Sequence, residues 1–253
     1  MYPVILSWGP LHLYSYGLLV ATGVLCAILL IRRNAKFSGI NPDTSVDLAM
    51  ATVISGFTGA RIFYVIQFWD FFKNTPLDIV KIWQGGIILY GGLIGGLIGF
   101  IFFIKLNKLS FLPTLDLFVP AMALAQGFGR LGCFLNGCCY GADCTLPWAV
   151  KFPFIGAKVH PTQLYEALFC FILSAFLYRL WKRKLAAGHV AFAYFAIYPI
   201  GRFLIEFFRG DQHHYLLHLT LAQWTSLIFM TLTFVVLTVR IFFRGKNSAD
   251  RTF

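Results

Sequence analysis

Long apolar runs recur along almost the whole chain, and this recurrence limits the possible folds more than any other feature of the sequence. We count seven runs, each about as long as a helix that crosses a hydrocarbon core of about 30 Å. They cover residues 14–31, 46–68, 86–104, 112–128, 164–181, 189–208 and 219–243. Because backbone polar groups inside a bilayer must pair within the protein, such runs favour α-helices. The sequence predicts an all-α, polytopic integral membrane protein with about seven transmembrane helices.

Composition supports this class and excludes a water-soluble domain. Hydrophobic residues make up 58% of the 253 residues and charged residues 12%, whereas soluble chains carry about 25% charge. No Pro/Ser-rich linker interrupts the pattern. We therefore expect one membrane-embedded domain over residues 1–253, with an extracytoplasmic polar loop at about residues 129–160.

The basic residues predict the topology. The chain has 21 Lys and Arg against 10 Asp and Glu, and the basic residues gather at the ends of the apolar runs. They do not alternate with aromatics as in a surface on which bases stack, so no nucleic-acid partner is expected. With the N-terminus outside, 13 basic residues lie on the cytoplasmic side and 6 on the other. This bias predicts an N-terminus out and a C-terminus in.

A glycine-rich stretch with an arginine, GRLGCFLNGCCYG at residues 129–141, follows the fourth apolar run. Glycines let a backbone approach a ligand closely. An arginine at membrane depth is costly unless an anion meets it, which makes Arg130 a candidate for a functional site. The stretch predicts a phosphate pocket at a membrane surface.

Six further ionisable residues, together with Arg130, lie within or at the edges of the apolar runs. The set is Arg61, Asp116, Arg130, Glu166, Arg202, Glu206 and Arg209. Residues 202, 206 and 209 are spaced i, i+4 and i+7, so they share one helix face. They could form an internal ladder of salt bridges or act directly. Because four arginines outnumber three acids, at least one guanidinium is expected to bind an outside anion, and arginine binds phosphate through its planar fork.

Glycines at every fourth position mark the third apolar run. Gly91, Gly95 and Gly99 have the spacing that lets helix backbones touch, and Gly92 and Gly96 run beside them. The spacing favours close helix packing, with room for a lipid as the alternative.

Four of the six cysteines cluster in the predicted loop: Cys133, Cys138, Cys139 and Cys144. They could be a structural disulfide or plain thiols, a redox site, or a metal site. The absence of a C-x2-C pair makes the metal interpretation the weakest, and no metal is assigned to the site. His160 begins the sequence HPTQLYE, where the loop re-enters the membrane; it could be an ordinary hydrogen-bonding histidine or part of the site.

Several segments in order resemble one family. Residues 129–141 are similar to the signature of bacterial prolipoprotein diacylglyceryl transferase. Other segments like the family are YG at 16–17, GARIFY at 59–64, GGLIG at 91–95, HPTQLYE at 160–166 and GRFLIEFFR at 201–209. The resemblance covers nearly the whole chain.

The resemblance implies an enzyme that moves the diacylglyceryl group of phosphatidylglycerol to the lipobox cysteine thiol of a prolipoprotein. A thioether forms and glycerol phosphate leaves, in the first step of lipoprotein maturation. The implied partners are phosphatidylglycerol, the prolipoprotein signal peptide and membrane lipids, with no metal or organic cofactor. The implied location is the bacterial inner membrane, with the active site towards the extracytoplasmic leaflet.

The resemblance also assigns roles to residues. Arg130 would bind the lipid head group, with Arg202 as a second essential arginine. Catalytic roles are expected for Arg130, Arg202, Tyr90 and Glu206. Substrate contacts are expected for Arg130, Tyr16, Arg61, Asn136, Gly141, His160 and Arg209, and structural support for Asp116, Glu166, Gly91 and Gly92.

At position 90 this chain has a tyrosine, whereas many family members carry a histidine that has been considered a general base. A tyrosine with an ordinary pKa of about 10 is a poor base at neutral pH. Tyr90 could be deprotonated beside arginines, or Glu206 or His160 could be the base. We favour a third option, in which the arginines lower the pKa of the substrate thiol directly.

Two other classes compete with the transferase. The loop cysteines could belong to a membrane thiol–disulfide oxidoreductase, although adjacent Cys138 and Cys139 make only a strained bridge. The intramembrane charges would also suit a lipid transporter or lipid-binding protein. No inverted repeat, which many transporters show, is visible between the halves of the chain.

Overall fold

The computed structural model describes residues 3–8, 11–81, 85–210 and 218–249, and most of these residues are helical. The helices are α1 (Ser15–Ala35), α2 (Pro42–Gln67), α3 (Trp69–Phe72), α4 (Leu89–Leu106), α5 (Phe111–Asn136), α6 (Thr162–Lys182), α7 (His189–Glu206) and α8 (Leu221–Ala249). This confirms the predicted helical class.

Among the described residues, two antiparallel strand pairs accompany the helices. Strand β1 (Val4–Trp8) pairs with β2 (Leu11–Tyr14) immediately before α1, and β3 (Val150–Lys151) pairs with β4 (Lys158–Val159) between α5 and α6. The sequence analysis did not predict these short strands, because pairs of this length leave no long alternating pattern.

Within the part of the chain that the structure describes, five helices are long and apolar enough to cross a membrane. They are Ser15–Ser38, which includes a 3-10 turn after α1, Pro42–Gln67, Leu89–Leu106, Phe111–Asn136 and Thr162–Lys182. Helices α7 and α8 occupy the positions of the sixth and seventh predicted spans. The chain is an integral membrane protein, whereas the count of seven spans and the orientation stay predictions.

The chain folds into two compact units. One comprises Met1–Ala27 and Phe118–Phe253, and the other comprises Ile28–Leu117. We call them the larger and the smaller unit and describe each by itself. The single-domain prediction stays a prediction.

Glycines bring α2 and α4 into backbone contact in the smaller unit. A Cβ atom at Gly91 would lie 2.5 Å from the carbonyl oxygen of Gly59, and one at Gly95 would lie 2.5 Å from that of Ser55. No side chain fits between such backbones. This confirms the close packing that the glycine spacing predicted.

The larger unit contains the first part of α1, most of α5, and α6 to α8. Phe128 of α5 meets Phe171 of α6 edge to face, with ring centroids 5.5 Å apart. The α6–α7 and α7–α8 pairs also pack together, the first with Phe169 beside Tyr198 and the second with Phe195 stacked on Phe229. These contacts hold α6 and α7 side by side, and their polar faces form the site described below.

Helix α5 continues past the predicted end of the fourth span at residue 128 and ends at Asn136. The first residues of the predicted polar loop, including Arg130, are therefore helical. Gly129 and Gly132 lie inside this helix, although glycine disfavours helix interiors. At Gly132 packing outweighs that cost, since the helix lies against Tyr16 of α1 there.

Candidate functional site

Four buried or half-buried charged side chains of α5, α6 and α7 form one cluster in the larger unit. Glu166 of α6 lies between two arginines: its Oε1 is 3.0 Å from Nη2 of Arg130 and its Oε2 is 3.7 Å from Nη1 of Arg202. Nη1 of Arg202 is also 2.6 Å from Oε2 of Glu206. The structure thus brings together three of the predicted catalytic residues and Glu166.

A third arginine joins the cluster from the end of α7. Nε of Arg209 lies 3.8 Å from Oε2 of Glu206. The two carboxylates are almost completely buried, and the arginines are more exposed, with Arg130 the most open at 24% of its side chain. Three guanidinium groups face two carboxylates, so these five side chains carry one excess positive charge.

The acids are held by further side chains that the sequence analysis missed. The hydroxyl of Thr220 donates to Oε1 of Glu206 at 2.8 Å, and the hydroxyl of Tyr198 donates to Oε1 of Glu166 at 3.4 Å. Tyr198 precedes Arg202 by one helical turn, a spacing that could have drawn attention to it. Nothing in the local sequence pointed to Thr220.

The buried ion pair between Arg202 and Glu206 is incompletely hydrogen-bonded. Nη1 of Arg202 and Oε2 of Glu206 lie 2.6 Å apart, but neither atom makes a hydrogen bond of good geometry with the residues that the structure describes. Buried polar atoms without a hydrogen bond are costly, and such atoms are characteristic of sites that a ligand or water completes. With its excess charge and the open side of Arg130, the cluster can hold a monoanion such as a phosphodiester.

Gly141 lies at a crossing of three backbone segments near the end of α7. Its N–H donates to the carbonyl of His160, and the next residue, Ala142, donates to the carbonyl of Phe208. A Cβ atom at Gly141 would lie 2.5 Å from that Phe208 oxygen and 2.5 Å from Cβ of His160. Gly141 also forms a bridge with Arg209, so it positions the backbone at the end of the arginine cluster.

His160 is half-buried and has a partner. Its Nδ1 lies 3.2 Å from the hydroxyl of Tyr165, which also accepts a hydrogen bond from the indole of Trp148 at 2.8 Å. Its ring packs against Phe208 with centroids 5.3 Å apart. These contacts give His160 a positioning role in the segment, and its substrate contact stays a prediction.

Tyr16 and Asn136, two predicted substrate contacts, are both exposed. Tyr16, in the first turn of α1, contacts Gly132 of α5 and is 40% exposed. Asn136 is the last residue of α5 and is also exposed. Both are accessible to a ligand, as their predicted substrate contacts require.

The loop cysteines separate into a group of three and a single residue. The Sγ atoms of Cys133, Cys138 and Cys139 all lie within 4.8 Å of one another. Cys144 is buried elsewhere in the segment, where its sulfur accepts a hydrogen bond from the N–H of Leu146. All six cysteines are free thiols in the structure.

The other predicted site residues belong to the smaller unit: Arg61, Tyr90, Gly91, Gly92 and Asp116. Asp116 is buried, whereas Tyr90 is 46% exposed in the first turn of α4. Their roles in substrate binding, catalysis or support of the site stay predictions.

Arg61 is buried under backbone carbonyls. Its Nε donates to Ile79 at 2.9 Å, and Nη1 donates to Gly85 and Gly86 at 2.6 and 3.0 Å. Nη2 donates to Asp78 at 2.6 Å and to Lys81 at 3.5 Å. These contacts use all five N–H groups of the guanidinium. They favour a structural role over the substrate contact that we predicted.

Comparison with known proteins decides the family. The sequence profile of prolipoprotein diacylglyceryl transferase matches residues 3–239. The chain belongs to this family. A phosphatidylglycerol–prolipoprotein diacylglyceryl transferase of Clostridium tetani is 39% identical over 234 residues, which cover 90% of this chain and 93% of that protein. Similar proteins with this name occur in Trichormus variabilis, at 36% identity over 91% of this chain and 86% of theirs, and in Staphylococcus haemolyticus, at 33% over 94% and 88%.

Membership of the diacylglyceryl transferase family confirms the resemblance described above. The match includes every residue of the arginine cluster and both units, from strand β1 to the larger part of α8.

Proposed function

We propose that the arginine cluster holds the phosphate of phosphatidylglycerol while its diacylglyceryl group is transferred. The chain is a phosphatidylglycerol–prolipoprotein diacylglyceryl transferase, as its relatives' names indicate. The observation that carries the assignment of the site is the excess of three guanidinium groups over two carboxylates around Glu166 and Glu206. A lipid phosphodiester supplies the missing negative charge.

The reaction exchanges one bond at an sp³ carbon. The sulfur of the lipobox cysteine forms a bond to the glyceryl carbon that carries the phosphodiester. The bond from that carbon to the phosphate oxygen breaks, and glycerol phosphate leaves with the electron pair. Since negative charge grows on the leaving phosphate, fixed guanidinium groups stabilise the transition state more than the ground state.

The thiol loses its proton before or during attack, because the thiolate is the nucleophile. The positive charge of the cluster favours the thiolate and lowers the pKa of a thiol bound beside it. Glu206 forms ion pairs with Arg202 and Arg209 and accepts a hydrogen bond from Thr220, so in this proposal it positions the arginines and is not the base. Solvent takes the proton.

The two substrates imply a location in the membrane and an orientation for the site. We place the chain in the bacterial inner membrane, with the N-terminus out, the C-terminus in and the arginine cluster towards the extracytoplasmic leaflet. The basic residues at the ends of the helices support this orientation. A signal peptide would then present its lipobox cysteine at the depth of the lipid head groups.

The decisive experiment uses purified protein in vesicles that contain phosphatidylglycerol. A lipobox peptide should gain the mass of diacylglycerol, and Arg130→Ala should reduce the rate by about 100-fold or more, as loss of a group that stabilises developing charge does. Arg179→Ala removes an exposed arginine near the end of α6 and should leave the rate unchanged. Normal transfer by Arg130→Ala would overturn the assigned role.

The same assay separates the two competing classes. If the four loop cysteines are changed to serine and the protein still transfers diacylglycerol, an oxidoreductase mechanism is excluded. If the wild-type protein binds peptide and lipid but never joins them, a transporter or binding protein is favoured. The family's name favours neither alternative.

A further inference from the structure

We propose that Cys133, Cys138 and Cys139 form a three-thiolate site for a thiophilic metal cation of the zinc or copper(I) class. The proposed transferase function does not require this site, and the two proposals can fail separately.

The three sulfur atoms already have nearly the spacing of a metal site. All three lie within 4.8 Å of one another, and those of Cys138 and Cys139 are 3.3 Å apart. Metal–sulfur bonds of about 2.3 Å at tetrahedral angles place sulfur atoms about 3.8 Å apart. Small side-chain rotations therefore bring the thiolates onto a shared ion.

The backbone holds these cysteines in position without help from a ligand. Helix α5 ends with Gly137 and Cys138 both donating their N–H groups to the carbonyl of Cys133, at 3.0 and 3.2 Å. This turn folds the chain back over the last turn of the helix. It brings residues 138 and 139 beside the side chain of Cys133.

The same segment is also fixed from outside. The carbonyl of Cys138 accepts a hydrogen bond from Gln163 at 2.6 Å, and that of Cys139 accepts one from Thr162 at 2.9 Å. Cys139 adopts a left-handed backbone with φ of 65°, which costs a non-glycine residue about 1 kcal/mol or more. Strain of this kind persists only where the surroundings hold it, and it is frequent at ligand sites.

The chemistry of the donors selects the class of ion. Three sulfur ligands favour soft cations such as zinc or copper(I) over magnesium or calcium, which prefer oxygen. Cys133 follows Arg130 by three residues, so the two share a helix face. A divalent ion with three thiolates carries a net charge of −1, so a bound zinc site is anionic on the helix face that also carries the guanidinium of Arg130. A fourth coordination position stays open for water or a further donor.

Cobalt provides a direct test in the whole protein. Metal-free protein is reduced with a phosphine in detergent and titrated with Co²⁺. We expect one equivalent to produce sulfur-to-cobalt charge-transfer absorption, which Zn²⁺ then removes. Changing Cys133, Cys138 and Cys139 together to serine should abolish the signal. Cys144→Ser is the matched control and should retain it, because Cys144 lies outside the group of three.

Absence of the absorption in the reduced wild-type protein, or its persistence in the triple variant, would overturn the proposal. If the triple variant does not fold, the wild-type protein decides the question. Bound Zn²⁺ should then slow alkylation of the three cysteines by at least about 10-fold, with each modified peptide measured by mass spectrometry. Equal alkylation with and without Zn²⁺ would also overturn the site.

Discussion

The carboxylate of Glu166 lies 3.0 Å from the guanidinium of Arg130, with Glu166 3% exposed and Arg130 24% exposed. The acid is buried, whereas the arginine extends from it towards the surface. Glu166 therefore fixes the position of Arg130 and leaves part of the guanidinium accessible. The negative charge of Glu166 also acts on Arg202, so this one acid orders two arginines.

Replacing Glu166 with glutamine should separate positioning from binding. Loss of the charge leaves two arginines without their shared partner, so we expect kcat to fall by about 10- to 100-fold because the phosphate is misplaced. KM for phosphatidylglycerol should not rise, since the cluster becomes more positive. A raised KM with an unchanged kcat would contradict the positioning role. Asp70→Asn, which breaks the exposed pair with Lys73, is the control and should change neither value.

Changing Arg61 to lysine tests whether the role of this arginine is structural. Lysine cannot reproduce a planar fork that donates to several carbonyls, so the variant should lose about 2–4 kcal/mol of stability. Thermal unfolding in detergent measures the loss, and KM for phosphatidylglycerol should stay unchanged in the folded fraction. Unaltered stability together with a raised KM would favour the substrate contact predicted from the sequence. Arg32→Lys, at an exposed ion pair with Asp43, provides the control.

The sequence predicted those contacts that depend only on the spacing of residues along one helix. Residues 202, 206 and 209 were expected to share a face, and the ion pairs of Glu206 with both arginines confirm it. The pairing of Arg130 with Glu166 joins two helices, and helical periodicity carries no information about which helices become neighbours. The contacts of Glu166 with the two arginines could therefore be identified only from the structure.

Arg61 shows a second limit of sequence reasoning. A charge count treats every intramembrane arginine as a cation that needs an anion. The carbonyls that bind Arg61 belong to a connection between helices, and a sequence does not reveal where such a connection folds. The end of α5 was predicted too early for the same reason, because the contact of Gly132 with Tyr16 is tertiary and a sequence does not reveal it.

Gly141 and Gly129 form a matched pair for testing the crossing of backbone segments. Alanine at 141 would clash with the carbonyl of Phe208 and with His160, so Gly141→Ala should displace the end of α7 and reduce transfer by at least about 10-fold. Gly129 lies in α5 with no atom within 4 Å of an added Cβ. Gly129→Ala should keep activity and gain about 0.5–1 kcal/mol of stability from better helix propensity. Equal activity of both variants would show that the crossing tolerates a side chain.

Gly91 and Gly92 should respond differently to alanine although they are adjacent. A Cβ atom at Gly91 would lie 2.5 Å from the Gly59 carbonyl, and one at Gly92 would have its nearest neighbour, Cβ of Ala60, at 3.5 Å. Gly91→Ala should therefore separate α2 from α4 and lower stability by about 1–3 kcal/mol, the usual cost of overpacking. Gly92→Ala should be tolerated. Thermal unfolding compares the two, and a destabilised Gly92→Ala beside a stable Gly91→Ala would contradict this packing.

Tyr90 can be tested through its hydroxyl alone, because Tyr90→Phe removes one oxygen from an exposed ring and leaves the packing of α4 in place. In our proposal the arginines favour the thiolate and solvent takes the proton, so the hydroxyl is at most a hydrogen-bond donor. We expect transfer to slow by about 3- to 10-fold without being lost, with an unchanged shape of kcat/KM against pH. The profile of kcat/KM reports groups that titrate in the free enzyme and substrates. Loss or displacement of its alkaline limb in Tyr90→Phe would show that the phenol ionises during the reaction, and solvent would then no longer be the proton acceptor.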